Sequence, residues 1–176
     1  MNLFKRKISA HDLGDIIYRH VRYEVMSQDS PLFHSKLISQ IEENYDDLPP
    51  TYILELFIGS LFGALLSIEK NYQYPKAGAI IDGMRDAFLP HAEPLMQSLD
   101  ITNEDITSLI IRRFEEYYES LNNKSGAVPG WHLGKAYYWN IIGRKKEEPT
   151  GPMYCSIYIL KFMDFANSIL KEYKVP

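Results

Sequence analysis

The sequence contains a single cysteine, Cys155, among its 176 residues. One thiol cannot form an internal disulfide, so the class of secreted domains that depend on disulfides is excluded. A chain of this length buries about 70% of the surface that its unfolded form exposes, so its core needs no covalent crosslink. We therefore predict a reducing compartment and a cytoplasmic protein.

The sequence also lacks an excess of positive charge. Its formal net charge is -4 and its isoelectric point is about 5.7. Domains that bind nucleic acid or anionic membranes usually carry a basic excess that attracts phosphate groups. We therefore expect no nucleic-acid partner.

Strand-like alternation of apolar and polar residues is missing, and so is an export signal. The basic residues 5–7 could begin a signal peptide, but His11 and Asp12 interrupt the apolar stretch that would have to come after them. Apolar residues recur instead at the spacing of amphipathic helices. The sequence predicts an all-α protein with a single domain over residues 1–176, in which residues 1–8 form a flexible arm.

Breaks at proline, glycine, asparagine and aspartate divide the chain into about six to seven helices, mostly antiparallel because the connections are short. Ser9 with Asp12, and Thr102 with Asp105, have the spacing of residues that cap helix N-termini. The predicted helices cover approximately residues 9–26, 31–45, 51–71, 75–88, 102–121, 129–142 and 153–173. Together they predict a helical bundle.

Two of these helices contain residues that bear on their packing or continuity. In the helix that begins at Pro75, Gly78 and Gly83 lower the helical propensity. Pro90 and Pro94 are expected to divide the next part of the chain into a turn and a short helical piece. In the helix over 102–121, one face is predicted to be a solvated charge run, formed by Arg112, Arg113, Glu115, Glu116 and Glu119.

The longest apolar run, YILELFIGSLFGALLSI at positions 52–68, contains one charged residue, Glu55. Between Glu55 and Glu69 a helix covers roughly 20 Å, which is too short for a hydrocarbon core of about 30 Å. The apolar residues surround this helix completely, as in a helix that neighbours bury on most sides. We therefore predict no transmembrane segment and place a hydrophobic helix, residues 51–71, at the centre of the bundle.

The two sides of this central helix differ in side-chain size. One side carries large apolar residues: Leu54, Ile58, Leu61, Phe62, Leu65 and Ile68. The other side carries small residues, which allow a second backbone to approach closely: Gly59, Ser60, Gly63, Ala64 and Ser67. The sequence favours a neighbour within the same chain and leaves open a neighbour from a second subunit.

Three ionisable residues lie on helix faces that are otherwise apolar. Glu55 continues the small side of the central helix, and His20 and Glu24 share the apolar face of the first helix. Imidazole and carboxylate groups bind transition metals and exchange protons, and facing helices of bundles often hold such sites. A buried hydrogen-bond cluster, or a helix end that reaches solvent, explains the same pattern without chemistry. For a buried polar cluster we expect His20→Ala to lower stability.

The sixth predicted helix concentrates aromatic residues. Trp131, Lys135 and Tyr138 fall near one face of it, so part of this surface is a candidate binding platform. Packing inside the core is the favoured role for aromatic residues at helical spacing. The sequence alone does not decide between these two roles.

No recognisable catalytic motif is present. The chain contains no glycine-rich phosphate loop, nucleophile elbow, zinc-ligand spacing or paired Glu-x-x-His motif. Cys155 shares an apolar face and lacks a neighbouring base, which indicates a core residue. The sequence therefore predicts neither an enzyme nor a bound cofactor.

The sequence supports two hypotheses of function. The first is a small cytoplasmic protein that acts by protein–protein interaction, as an adaptor, inhibitor or assembly factor, or by self-association into a homo-oligomer. The second is a bundle that encloses a small-molecule or metal site near His20, Glu24 and Glu55, with or without a catalytic role.

Overall fold

The computed structural model describes residues 5–27, 47–98, 103–125 and 130–176, and single residues between 37 and 45. The described residues form an all-α bundle of six helices that pack against one another, as the sequence predicts. The helices are α1 (Ala10–Met26), α2 (Tyr52–Asn71), α3 (Lys76–Ser98), α4 (Asn103–Asn122), α5 (Trp131–Ile142) and α6 (Thr150–Glu172). The predicted helix over 31–45 lies mostly outside the described residues.

Helix α2 is central to the described bundle, because it contacts each of the other five helices. By length and composition alone α2 could cross a membrane, but 78% of its most apolar window is buried inside the protein. Burial by neighbours on all sides accounts for an apolar surface that surrounds the helix. The prediction of a central hydrophobic helix is confirmed.

Helix α1 has the predicted bounds because its first turn is capped. The backbone N–H of Asp12 donates to Ser9 Oγ over 3.0 Å. This bond satisfies one of the amides that have no acceptor within the helix. The cap that the spacing of Ser9 and Asp12 predicts is therefore present.

Helices α1 and α3 form the most extensive helix–helix interface, and two glycines lie in it. Gly14 of α1 lies against the backbone of Ile80 and Met84, and Gly83 of α3 lies against the backbone of His11. A Cβ atom at either glycine would overlap the facing main chain. The low helical propensity of Gly83 is therefore offset by close contact between two backbones.

Helix α3 continues through Pro90 and Pro94, so the prediction that these prolines end it is wrong. Proline removes one helical N–H and leaves the carbonyl four residues earlier without its donor. Both prolines are exposed, and so is Asp86, four residues before Pro90. The freed carbonyl groups therefore lie on the side of α3 that water reaches.

The end of α5 agrees with the prediction, and the start of α6 differs from it. Helix α5 ends at Gly143, which has the left-handed backbone conformation (φ 66°) that favours glycine. Helix α6 begins at Thr150, three residues earlier than predicted. Pro152 lies in its first turn, where the backbone N–H has no helical acceptor, so proline costs no hydrogen bond there.

A short parallel pairing connects the two ends of the described chain. Strand β1 (Arg6–Lys7) pairs with strand β2 (Tyr173–Lys174), and the N–H of Ile8 donates to Lys174 O over 3.2 Å. Residues 5–8, the described part of the predicted arm, therefore lie against the end of α6.

Candidate functional site

Glu55, in the first turn of α2, forms a buried ion pair with Arg113 of α4. Arg113 Nε donates to Glu55 Oε1 and Oε2 over 3.0 and 3.1 Å, and Nη2 donates to Oε1 over 2.7 Å. The two side chains are only 3% and 19% exposed, respectively. Burial raises the pKa of the Glu55 carboxyl, and the hydrogen bonds from Arg113 oppose this rise. The guanidinium thus supplies the partner that a buried carboxylate requires.

This ion pair belongs to a network that extends to α5. Arg113 Nη1 donates to Glu116 Oε2 over 3.2 Å, and Asn140 Nδ2 donates to the same oxygen over 3.0 Å. The prediction of a solvated face is therefore wrong for Arg113, because its long side chain reaches back into the helix interface, whereas the Glu116 side chain is 38% exposed. The other charged residues of that predicted face are exposed: Arg112, Glu115 and Glu119.

His20 is exposed, so the prediction that it lies in a buried polar site is wrong. Its Nδ1 donates to Ile16 O over 2.8 Å within α1, and its ring lies 6.1 Å from the Phe165 ring. Among the described helices, α1 packs mainly against α3, so one side of α1 remains open to water. His20 lies on that open side.

Glu24 is buried, as predicted. It lies near Tyr158, whose pKa is raised by burial and then by the Glu24 charge. The Tyr158 hydroxyl is 3.0 Å from Ser60 Oγ, which donates to Leu56 O. Within the described part of the chain, no group of three His, Cys, Asp or Glu side chains is placed to hold a metal ion.

The small side of α2 packs within the chain. Gly59 lies against the ring of Tyr137 from α5, at a distance that leaves no room for a Cβ atom. A Cβ atom at Gly63 would lie 3.2 Å from the carbonyl oxygen of Ile159 in α6. The intrachain alternative that the sequence favours is the one that the described helices adopt.

Helix α5 divides the predicted binding platform between a buried and a partly exposed side. Tyr138 is only 2% exposed, and its hydroxyl lies 2.6 Å from that of Tyr45. A binding platform requires an exposed ring. The Tyr138 ring is buried, so the prediction that Tyr138 belongs to such a platform is wrong. Trp131 and Lys135 are partly buried and keep some surface in water.

A groove of about 360 Å³ lies between α4 and α5. We call it the α4–α5 groove, and the side chains that define it are Glu116, Glu119, His132, Lys135, Trp139 and Lys145. Of the predicted binding residues, only Lys135 lines this groove. Sequence reasoning left Trp139 out of the platform, although its i, i+4 spacing from Lys135 places the two on one face.

The Trp139 ring is held in place by its neighbours. Its Nε1 donates to Lys146 O over 2.8 Å. The Nζ atoms of Lys135 and Lys145 lie 4.6 and 5.6 Å from its ring centroid, within the range of cation–π attraction. Lys135 Nζ also donates to both carboxylate oxygens of Glu147, over 2.8 and 2.9 Å. These contacts fix the orientation of the Trp139 ring, which is partly exposed to water.

No protein-family model matches this chain, and neither a curated protein nor a solved structure matches it. Any functional conclusion therefore depends on the geometry of the described residues.

Proposed function

We propose that the protein acts by binding another protein through the α4–α5 groove. The observation that carries this proposal is the partly exposed and fixed ring of Trp139. Tryptophan is enriched among the residues that dominate interface energies. A side chain that is already ordered before binding loses little conformational entropy on association.

Charges of both signs flank this ring. Glu119 of α4 and Lys145 after α5 line the groove, and neither forms an ion pair within the described residues. A partner can therefore pair with each of them. Such charges set the orientation and the rate of association more than the affinity. The groove suits a protein segment that places an apolar side chain against the exposed part of the Trp139 ring and charges of both signs beside it.

The groove suits a nucleic acid less well. Glu116 and Glu119 lie in the same groove as Lys135 and Lys145, and their carboxylates would repel a phosphate backbone. A protein partner, either another chain or a second copy of this one, can carry both charge signs and so complement the acidic and the basic residues of the groove.

The compartment that we propose is the cytoplasm. The support is Cys155, which is fully buried and whose thiol has a pKa raised well above its usual range, chiefly by burial. Such a thiol is unreactive and suits a protein that forms no disulfide. Within this compartment the protein would serve as an adaptor, inhibitor or assembly factor, or would self-associate.

The alternative of a metal or small-molecule site near His20, Glu24 and Glu55 has less support. His20 is exposed and Glu55 is paired with Arg113. We therefore do not propose a catalytic role.

Photo-crosslinking tests the proposed function. A photoreactive amino acid replaces Ser120, which lines the groove, or Tyr74, which is 89% exposed and lies between α2 and α3. We expect a discrete crosslinked protein, whether a partner or a second copy, from position 120 and not from position 74. In the purified complex, Trp139→Ala should weaken binding by tenfold or more, which corresponds to about 1.4 kcal/mol.

The control variant Tyr74→Ala should bind with unchanged affinity, and far-UV circular dichroism should show the same helicity for both variants. Identical adducts from both crosslinking positions would contradict the proposal. So would a Trp139→Ala variant that is folded and binds normally.

A further inference from the structure

A second cavity, of about 190 Å³, lies where the first turn of α6 meets Tyr138 of α5. We call it the Tyr138 cavity. It shares no lining residue with the α4–α5 groove. The side chains that define its chemistry are Leu37, Ile41, Glu43, Tyr138, Glu148 and Tyr154.

The charge of the Tyr138 cavity is negative. Glu43 and Glu148 line it, and no described lysine or arginine does. None of the ion pairs among the described residues involves either carboxylate. A cation that entered the cavity would therefore find negative charge that no described basic side chain pairs with.

Glu148 is held in place but keeps hydrogen-bonding capacity. Its Oε1 accepts the backbone N–H of Gly151 over 2.9 Å, one of the first-turn amides of α6. Burial, and then the neighbouring Glu148 carboxylate, raise the pKa of the Tyr138 hydroxyl. A carboxylate has about four lone-pair positions, so the bond to Gly151 leaves others for a ligand. Gly151 has no Cβ atom, which would overlap the Tyr138 ring, so carboxylate and ring lie close together.

The aromatic walls favour a cation as well. Tyr138 lines the cavity, and the negative face of an aromatic ring attracts cations. Tyr45, whose hydroxyl contacts that of Tyr138, already has two cations over its ring. The Arg144 guanidinium and Lys146 Nζ lie 5.0 and 4.6 Å from the Tyr45 ring centroid. The Tyr45 ring, next to Tyr138, thus already attracts cations from the same chain.

The size of the cavity limits the ligand. An apolar cavity of about 150 Å³ holds benzene, so the Tyr138 cavity has room for roughly seven to ten non-hydrogen atoms. Leu37 and Ile41 provide apolar contact for methyl or methylene groups. We propose that the Tyr138 cavity binds a small organic cation, an aliphatic amine or quaternary ammonium of this size.

Isothermal titration calorimetry of the full chain with three ligands tests this proposal. Choline and pentane-1,5-diamine are the cations, and 3,3-dimethylbutan-1-ol is the neutral analogue in which carbon replaces the nitrogen of choline. We expect saturable binding of at least one cation, with the neutral alcohol at least tenfold weaker. The cation that binds more tightly distinguishes a quaternary from a primary ammonium ligand.

Two matched variants assign the binding to this cavity. Glu148→Gln keeps a carbonyl oxygen for the Gly151 amide and removes the charge, so we expect at least a tenfold loss of cation affinity. Glu147→Gln removes the adjacent carboxylate, whose side chain is 82% exposed and pairs with Lys135, and it should bind as the unaltered chain does. Glu43→Gln removes the other carboxylate of the cavity, and because Glu43 is exposed this substitution should leave the fold intact.

Three results would overturn the proposal. The first is no saturable binding of either cation at millimolar concentration. The second is equal binding of choline and the neutral alcohol. The third is equal affinity of the Glu148→Gln and Glu147→Gln variants for the cation.

Discussion

Glu55 on α2 and His20 on α1 both extend the apolar face of a helix, yet one is buried and the other is exposed. Glu55 accepts three hydrogen bonds from Arg113. His20 forms a hydrogen bond to Ile16 O within its own helix and is otherwise accessible to water. The two residues differ in the number of helices around them.

The difference shows that an apolar pattern tells which side of a helix a residue lies on, but not how deeply that side is buried. Five helices contact α2, so a carboxylate on α2 loses its hydration and needs a charged partner. Helix α1 packs chiefly against α3, so a side chain on the open side of α1 keeps its water. Substitutions at these positions can therefore sharpen or break the comparison.

The largest effect is expected at Arg113. Arg113→Met leaves the Glu55 carboxylate buried without its partner, which should lower the free energy of unfolding by about 3–5 kcal/mol. Urea unfolding monitored by far-UV circular dichroism measures this change. The control Arg112→Met alters an adjacent exposed arginine and should change stability by less than about 0.5 kcal/mol.

A double variant separates the loss of a partner from the loss of packing. Glu55→Leu combined with Arg113→Met removes both charges and should recover much of the lost stability. If Arg113→Met unfolded at the same urea concentration as Arg112→Met, the ion pair would not be buried and the comparison would fail.

An intermediate effect is expected at the glycines of α3, which test the packed side of α1. The Cβ atom of Gly83→Ala would overlap the His11 carbonyl and should cost about 1–3 kcal/mol. Gly78→Ala is the matched control, because a Cβ atom there would lie 3.7 Å from the Tyr74 ring. We expect Gly78→Ala to stabilise the helix by up to about 1 kcal/mol. Equal melting temperatures for the two variants would disprove close contact of the α1 and α3 backbones.

The smallest effect is expected at His20. His20→Ala should change the free energy of unfolding by less than about 0.5 kcal/mol, because the imidazole is exposed. Thermal unfolding of the His20→Ala and Arg113→Met variants under the same conditions compares the two losses of stability. A loss of more than about 2 kcal/mol would mean that His20 is buried and that the contrast with Glu55 is false.

Features of the fold that depend on neighbours along the chain could be predicted from the sequence. The cap at Ser9, the left-handed end of α5 at Gly143 and the central position of α2 result from local spacing and apolar pattern. The passage of α3 through Pro90 could not be predicted, because the cost of a lost hydrogen bond depends on whether water reaches the freed carbonyl.

The candidate sites depend on residues that are distant in the sequence. The apolar run shows that Glu55 needs a partner, but Arg113 lies 58 residues away in a stretch that has the pattern of a solvated face. Helix α5 carries aromatic residues on both sides, so its sequence does not show that Tyr138 is buried while Trp139 lines a groove. The arrangement of α4, α6 and Tyr45 around α5 decides this.

The sequence by itself determined that the protein is helical, where most helices begin and end, and which helix lies at the centre. These properties depend on backbone hydrogen bonds and apolar spacing over a few residues. The tertiary structure decided that Arg113 meets Glu55, that Gly59 receives the Tyr137 ring and that His20 stays in water. The physical reason is that burial depends on which helices surround a position, and distant parts of the chain supply those helices.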